Sequence, residues 1–419
     1  MTEKIKEFIN DPEKLERLYH EDKKSFELAF EKIYPEILNS ELAKFWKSRL
    51  DFDKSSGNIK VVFGTDIFIL IAVCLVAGFL IKIPDLFGIN VTSFHFYEKE
   101  TGIIVFLGMA IYSFATKRDF AKRNLYITFL IFLISIIYIN VLPDYNKSDS
   151  ITLVYIHMPL LMWCLYGLVY IDFDWKNYAK RIEYIRHNGD LAIIVALIIL
   201  AGGILMAVTV ALFQGIGIPA GKFYTNYIVP VGFVSAPVVA SFILKYYPSL
   251  SNKIAPIIAN LFSPLVLITL IIYLTTIAVT GKNPYNDRNF LLIFNIMLIG
   301  VMAIIVFSVS GISMYRKKMF NDLVLFILSI VTLIINLIAL SAIFYRLGEF
   351  GPTPNRLAIL GSNILIFTNL ILITVDLFKI NFKKTDPEKV EFTISKYLPV
   401  YIIWTLIVVF GFPLIFGMK

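Results

Sequence analysis

Eleven times along this chain a run of about twenty apolar residues passes with almost no charge, at 65–83, 98–116, 124–142, 151–171, 190–213, 226–246, 255–280, 289–314, 323–345, 357–379 and 397–417. A helix of that length spans the hydrocarbon of a bilayer, and a helix bonds all its backbone groups internally, as a solvent without hydrogen-bonding capacity requires. Composition points the same way. Of 419 residues, 58% are hydrophobic and 17% charged, mean hydropathy is +0.74, and the apolar residues come in runs rather than in amphipathic periods. The expected fold is all-α: a polytopic transmembrane helical bundle of about eleven spans. The second span is the weakest, because Glu98, Lys99 and Glu100 shorten its clean apolar stretch.

Loop charge sets the expected threading, since cytoplasmic loops hold the excess of Lys and Arg. With the N-terminus inside, the loops around 117–123, 172–189, 245–254, 315–321 and 379–396 carry eighteen Lys plus Arg, against seven in the opposite set. The net charge of +8 is then a membrane-topology signal rather than a nucleic-acid footprint. The N-terminus is expected inside and the C-terminus outside. The first residues are charged and lack an apolar h-region, so insertion is expected to begin with the first span rather than with a cleaved signal peptide.

Residues 1–60 differ from the transmembrane helical domain expected over 61–419. They hold twelve Lys plus Arg against thirteen Asp plus Glu. Asp11-Pro12 is a helix start. Leu15, Leu18 and Tyr19, then Phe26, Phe30 and Ile33, then Ile37, Leu38, Leu42 and Phe45, sit three and four apart as helical faces. The expectation is a small helical cytoplasmic segment that either caps the loops or docks a soluble partner.

Inside the spans, polar residues stand out. Asn355, Ser362, Asn369 and Asp376 recur at seven-residue steps through the tenth span, so they share one face. The ninth span repeats the device with Asp322, Ser329 and Asn336, and the seventh and eighth add Asn260 and Asn295. Such stripes must face other helices or a wet cavity. They act either as interhelical glue or as the lining of a ligand path. The intervening loop, Tyr345 to Arg356, holds two glycines and two prolines, with Arg356 placed either to bind an anionic group or, like Arg346, to pair with Glu349. Pro230, Pro237, Pro256 and Pro264 make the sixth and seventh spans the expected sites of kinks or breaks.

The run Phe350-Gly351-Pro352-Thr353-Pro354-Asn355-Arg356-Leu357, followed by Leu360-Gly361, Asn363 and Asn369-Leu370, resembles the signature of a bacterial multi-pass family listed as domain of unknown function four-one-five-three. Pro352 stands where that family has a hydrophobic residue. The resemblance implies a bacterial cytoplasmic (inner) membrane location and no assigned activity.

Catalytic signatures are thin. The four histidines, His20, His95, His157 and His187, form no His-Glu-x-x-His cluster, no Gly-rich phosphate loop occurs, and Cys74 and Cys164 lie in apolar runs, which argues against a zinc site or a disulfide framework. His157 beside Pro159 is a formal candidate for acyl transfer. No cofactor is expected. The leading expectation is a permease that binds a small solute, ion or lipid through Asn336, Glu349, Asn355, Arg356, Ser362, Asn363, Asn369 and Asp376; the alternative is a sensor or scaffold acting through its N-terminal helices.

Overall fold

A computed structural model of the chain describes residues 1–38, 40–88, 95–117, 120–143, 148–215, 219, 221–247, 254–280, 288–310 and 319–418. It divides into two compact units, Met1–Phe68 and Ile69–Lys419, and every regular element among the described residues is helical.

The first unit holds α1 (Thr2–Glu7), α2 (Pro12–Glu21), α3 (Lys23–Ile33) and the opening of α4 (Glu41–Ile81). Asp11 caps α2 by accepting the Lys14 backbone N–H at 3.2 Å, and Asp22 caps α3 through Ser25 at 3.0 Å. Leu15, Leu18, Tyr19, Phe26, Phe30 and Ile33 are buried together, as their spacing predicts. The third expected face is met in part: Ile37 and Leu42 pack against this core, but Leu38 and Phe45 are exposed and Ala43, Trp46 and Leu50 are buried instead, because a 3₁₀ turn at Tyr34–Glu36 interrupts the helix and the register restarts at Glu41. Arg49 grips Glu16 with both terminal nitrogens, at 2.5 and 2.8 Å, and lies over the Tyr19 and Trp46 rings.

The second unit takes the rest of α4 and then α5 (Phe96–Thr116), α6 (Lys122–Val141), α7 (Asp149–Tyr170), α8 (Tyr178–Gly215), α9 (Gly221–Tyr246), α10 (Ile254–Thr280), α11 (Arg288–Ser310), α12 (Met319–Phe350), α13 (Pro354–Lys383) and α14 (Glu388–Ile415). Over the described residues each expected apolar run falls largely on one of these helices; 311–314 of the eighth run lie outside them. Among the described residues, eight are long and apolar enough to cross a membrane; α10 and α11 contribute shorter apolar stretches, Leu261–Thr275 and Phe294–Ser310. In α5 the charges that weaken the second span are turned inward. Glu100 accepts from Asn140 Nδ2 at 2.5 Å, and the Lys99 ammonium lies 5.7 Å from the centre of the Tyr155 ring. Two apolar clusters hold the unit, one centred on Phe294, Leu298, Leu328 and Leu370, the other on Phe132, Val154, Met158 and Met162. Outside them, Leu130, Leu133, Ile134 and Ile137 of α6 are exposed, as a lipid-facing helix requires.

The prolines do not break their helices. In α9 a π-helical turn, Tyr224–Ile228, precedes Pro230, and in α14 another, Ile407–Gly411, precedes Pro413; α10 runs on through Pro264. Proline lacks an N–H and crowds the carbonyl four residues back, so a widened turn absorbs the misfit. For Pro413 that carbonyl is Val409, and the Tyr138 hydroxyl donates to it at 2.7 Å.

Candidate functional site

The ninth and tenth spans are α12 and α13, and their polar residues make two separate ladders. Between α12 and α13, Asn381 Nδ2 donates to the Asp322 carbonyl at 3.1 Å, Thr374 Oγ1 to Ser329 Oγ at 3.0 Å, and Asn336 Nδ2 to the Asn363 carbonyl at 3.2 Å. Asn363 Nδ2 in turn reaches Asn295 Oδ1 on α11 at 2.7 Å. The seven-residue stripe of α13 faces elsewhere. Ser362 Oγ accepts from Trp404 Nε1 at 3.1 Å, Asn369 Nδ2 donates to the Tyr401 hydroxyl at 3.0 Å, and Asp376 Oδ2 accepts from Thr393 Oγ1 at 2.6 Å. All three partners lie on α14, so this stripe packs on the eleventh span rather than on the ninth. Asn336 and Asn369 are buried, and in each the Oδ1 has no hydrogen-bond partner. Two carbonyl acceptors left dry in this way offset part of what their amides contribute.

The connection between these helices is shorter than expected, because α12 continues to Phe350 and carries Arg346 and exposed Glu349 in its last turns. Arg356 neither meets Glu349 nor points to open space. Its Nη1 donates to the Phe350 and Gly351 carbonyls at 2.8 and 2.7 Å, closing the turn in which Gly351 takes φ +72°. Thr353 caps α13 through the Arg356 N–H, with Pro354 as the first helical residue and Asn355 half-buried beside it. Of the expected ligand residues, Asn336, Ser362, Asn363, Asn369 and Asp376 form helix-to-helix joints and Arg356 a loop clasp, while Glu349 and Asn355 join neither.

Open space occurs at another place. A cavity of about 560 Å³ lies among the ends of α5, α7, α8 and α9. Each helix offers one face at helical spacing: Tyr112, Ser113 and Thr116 from α5; Tyr166 and Tyr170 from α7; Lys180, Glu183 and His187 from α8; Ser241, Leu244 and Lys245 from α9. Lys117 closes the α5 end. Its Nζ donates to the Val169 and Tyr170 carbonyls at 3.0 and 3.4 Å and to Asp172 Oδ1 at 2.6 Å, a cation on the carbonyl end of α7. Asp172 and Phe173 are both left-handed, φ +57° and +59°, an arrangement costing about 1 kcal/mol or more for each residue that is not glycine. Beyond them Lys180 pairs with Asp174 at 3.1 Å, which holds the Asp174 carboxyl below its ordinary range.

His187 is 7% exposed, stacks on Tyr170 with ring centres 4.6 Å apart, and has no hydrogen-bond partner at Nε2. Behind it, Tyr184 donates to the Trp163 carbonyl at 2.8 Å, Trp163 Nε1 to Asn188 Oδ1 at 2.9 Å, and Asn188 Nδ2 to the Tyr184 carbonyl at 2.7 Å, so the wall is rigidly tied. On the same helix Arg186 donates to Glu391 Oε2 of α14 at 2.8 Å and to the Ser310 carbonyl of α11. The expectation placed His187 in a loop; it stands instead in the first turns of α8, which starts at Tyr178. The spacing of Lys180, Glu183 and His187, threaded by buried Ile182 and Ile185, is the signal that marks these turns as helix. His157 donates to or accepts nothing catalytic: its Nδ1 meets the Leu153 carbonyl at 2.8 Å, a local helix contact.

No protein-family model matches the chain, and no curated protein or solved structure matches it significantly.

Proposed function

We propose that this protein is a multi-pass membrane protein that binds a small polar solute in the cavity between α5, α7, α8 and α9 and acts as a permease for it. The observation that carries the reading is the cavity itself: 560 Å³ lies within the range of small-molecule sites, and its wall presents a buried imidazole nitrogen with no partner. The polar joints along α13 then serve as glue for the bundle, not as the ligand path. The eleven apolar runs make eleven crossings with the N-terminus inside and the C-terminus outside, so that the cavity opens on the lysine-rich cytoplasmic face. The resemblance of residues 350–370 to a bacterial multi-pass family favours a bacterial inner membrane.

Cysteine protection tests the binding reading. In a protein with Cys74 and Cys164 replaced by serine, Ser113→Cys should react with a small thiol reagent, and a bound solute should slow that reaction. A Ser113→Cys label whose rate is the same under every solute of a broad panel would refute it. A sensor or scaffold is the second reading, favoured by the self-contained core of the N-terminal unit and by Leu28 and Phe45 exposed beside it. Deleting residues 1–55 would leave solute protection intact under the first reading and abolish activity in the cell under the second.

A further inference from the structure

We infer that Arg181, with Lys389 and Lys396, binds the headgroup of an anionic phospholipid where α8 and α14 enter the membrane; the site does not depend on the solute reading. Arg181 stands in the first turns of α8 and is 8% exposed, yet among the described residues no carboxylate pairs with it. A guanidinium keeps its charge, and a charge taken out of water without a counter-ion is costly. The group it meets is neutral: its Cζ lies 4.5 Å from the centre of the Tyr178 ring, and its Nε has no hydrogen-bond partner. Nearby acids in the sequence are engaged elsewhere or turned away. Asp174 pairs with Lys180 at 3.1 Å and Glu391 with Arg186 at 2.8 Å, while Glu183, two residues on, leaves the helix on another side.

Tyr178 joins Arg181 to α14. Its ring meets Phe392 with centres 4.4 Å apart, and its carbonyl accepts from Ser395 Oγ at 2.9 Å. Lys389, Phe392 and Lys396 follow at spacings of three and four, so they share one face of α14, and all three are exposed. Asp386 and Glu388 precede them, but neither pairs with either lysine. Three cations thus surround an aromatic pair, one of them enclosed. The depth is that of headgroups: Phe392 precedes the apolar run opening at 397 by about 7 Å of helix, and the polar layer of a bilayer is roughly 5 to 8 Å thick. Half-exposed Tyr178 and Phe392 suit that level, where amphipathic rings collect. A phosphodiester brings the charged acceptors that the guanidinium lacks, and clustered basic groups at the ends of spans favour lipids of net negative charge.

Thermal melting of the full-length protein in dodecylmaltoside, titrated with phospholipid, tests the site. Phosphatidylglycerol should raise the melting temperature, phosphatidylcholine should raise it less, and inorganic phosphate at constant ionic strength should leave it unchanged. Arg181→Leu should increase the phosphatidylglycerol needed by about tenfold or more, the weight of a charge-assisted hydrogen bond. Without lipid it should melt no lower than wild type, because it removes a buried charge that has no counter-ion. Lys389→Gln and Lys396→Gln alter exposed side chains and so keep the fold; each should weaken the response by about fivefold. Lys122→Gln, an exposed basic residue at the start of α6, should leave the response near that of wild type. A phosphatidylglycerol response that survives Arg181→Leu and both lysine variants, or that Lys122→Gln reduces as much as they do, would overturn the site. A shift with inorganic phosphate that Arg181→Leu removes would overturn the headgroup and assign the site to a soluble anion. Absence of any response to phosphatidylglycerol would overturn the inference outright.

Discussion

Gly361→Ala adds one methyl group at the joint between α13 and α14, and that methyl has no room. An alanine Cβ at this position would stand 2.0 Å from Trp404 Cη2, 2.1 Å from Cζ2 and 2.7 Å from Cζ3. The indole cannot turn aside freely, because Nε1 donates to Ser362 and the ring meets Phe412 edge-on at 6.0 Å. Overpacking of this kind costs about 1 to 3 kcal/mol, and the lost interhelical hydrogen bond adds about 0.6 kcal/mol. Alanine also gains about 1 kcal/mol over glycine as a helix former. That gain can be cancelled by comparison with Gly203→Ala in α8, where nothing lies within 4 Å of the added carbon. The two substitutions are chemically identical, so Gly361→Ala should be less stable than Gly203→Ala by roughly 2 to 3 kcal/mol. Denaturant unfolding in detergent, followed by tryptophan fluorescence, reads the difference, and Trp404→Leu should erase it. Equal stability of the two alanine variants, or a penalty for Gly361→Ala that persists in the Trp404→Leu background, would refute the argument.

Four further outcomes can be checked alongside it. Arg186→Leu leaves Glu391 in a site where its side chain is 9% exposed, and should destabilise by about 3 to 5 kcal/mol in the same unfolding assay, more than Arg186→Leu combined with Glu391→Leu. Asn363→Leu deprives Asn295 of a donor and should cost about 1 kcal/mol or more, whereas Asn369→Leu removes an unpaired acceptor along with its bond to Tyr401 and should lie close to wild type. The Lys14 backbone N–H holds the Asp11 carboxyl below its ordinary 3.8; because the folded value is the lower one, the cap's ionic contribution is present above that value and lost as pH falls through the depressed one. Melting curves of wild type and Asp11→Asn should therefore separate at neutral pH and converge in acid. For threading, cysteine at Glu349 should react with an impermeant thiol reagent applied to intact cells, and cysteine at Lys176 should not; the reverse pattern would invert the proposed topology.

The helices were legible because a bilayer admits so few alternatives to a long apolar run. Their ends were not: α8 begins at Tyr178 rather than near 190, since its first turns are amphipathic and an apolar window passes over them. The stripe of Ser362, Asn369 and Asp376 was legible as one face, but seven-residue spacing names no neighbour. It meets Trp404, Tyr401 and Thr393 on α14, while the contact with α12 goes through Asn363, Thr374 and Asn381, which spacing alone does not single out. The expected break at the prolines of α9 became a π turn at Tyr224–Ile228, which the positions of the prolines alone do not announce. The cavity was hidden for a different reason. Each of its four helices contributes two or three side chains, too few to form a pattern in any one segment, and only packing gathers them.

The ladder between α12 and α13 also bears on the order in which the chain can be put into the membrane. Its polar groups find their partners within a single hairpin whose connection is only Gly351, Pro352 and Thr353, so the pair can leave the insertion machinery as one unit that already screens its own amides and hydroxyls from the acyl chains. Arg186 reaches further: two of its partners, Ser310 and Glu391, lie 124 and 205 residues along the chain, so these contacts form only after most of the polypeptide has been made. The closing of the bundle at Arg186 is thereby tied to the arrival of α14, which brings Glu391.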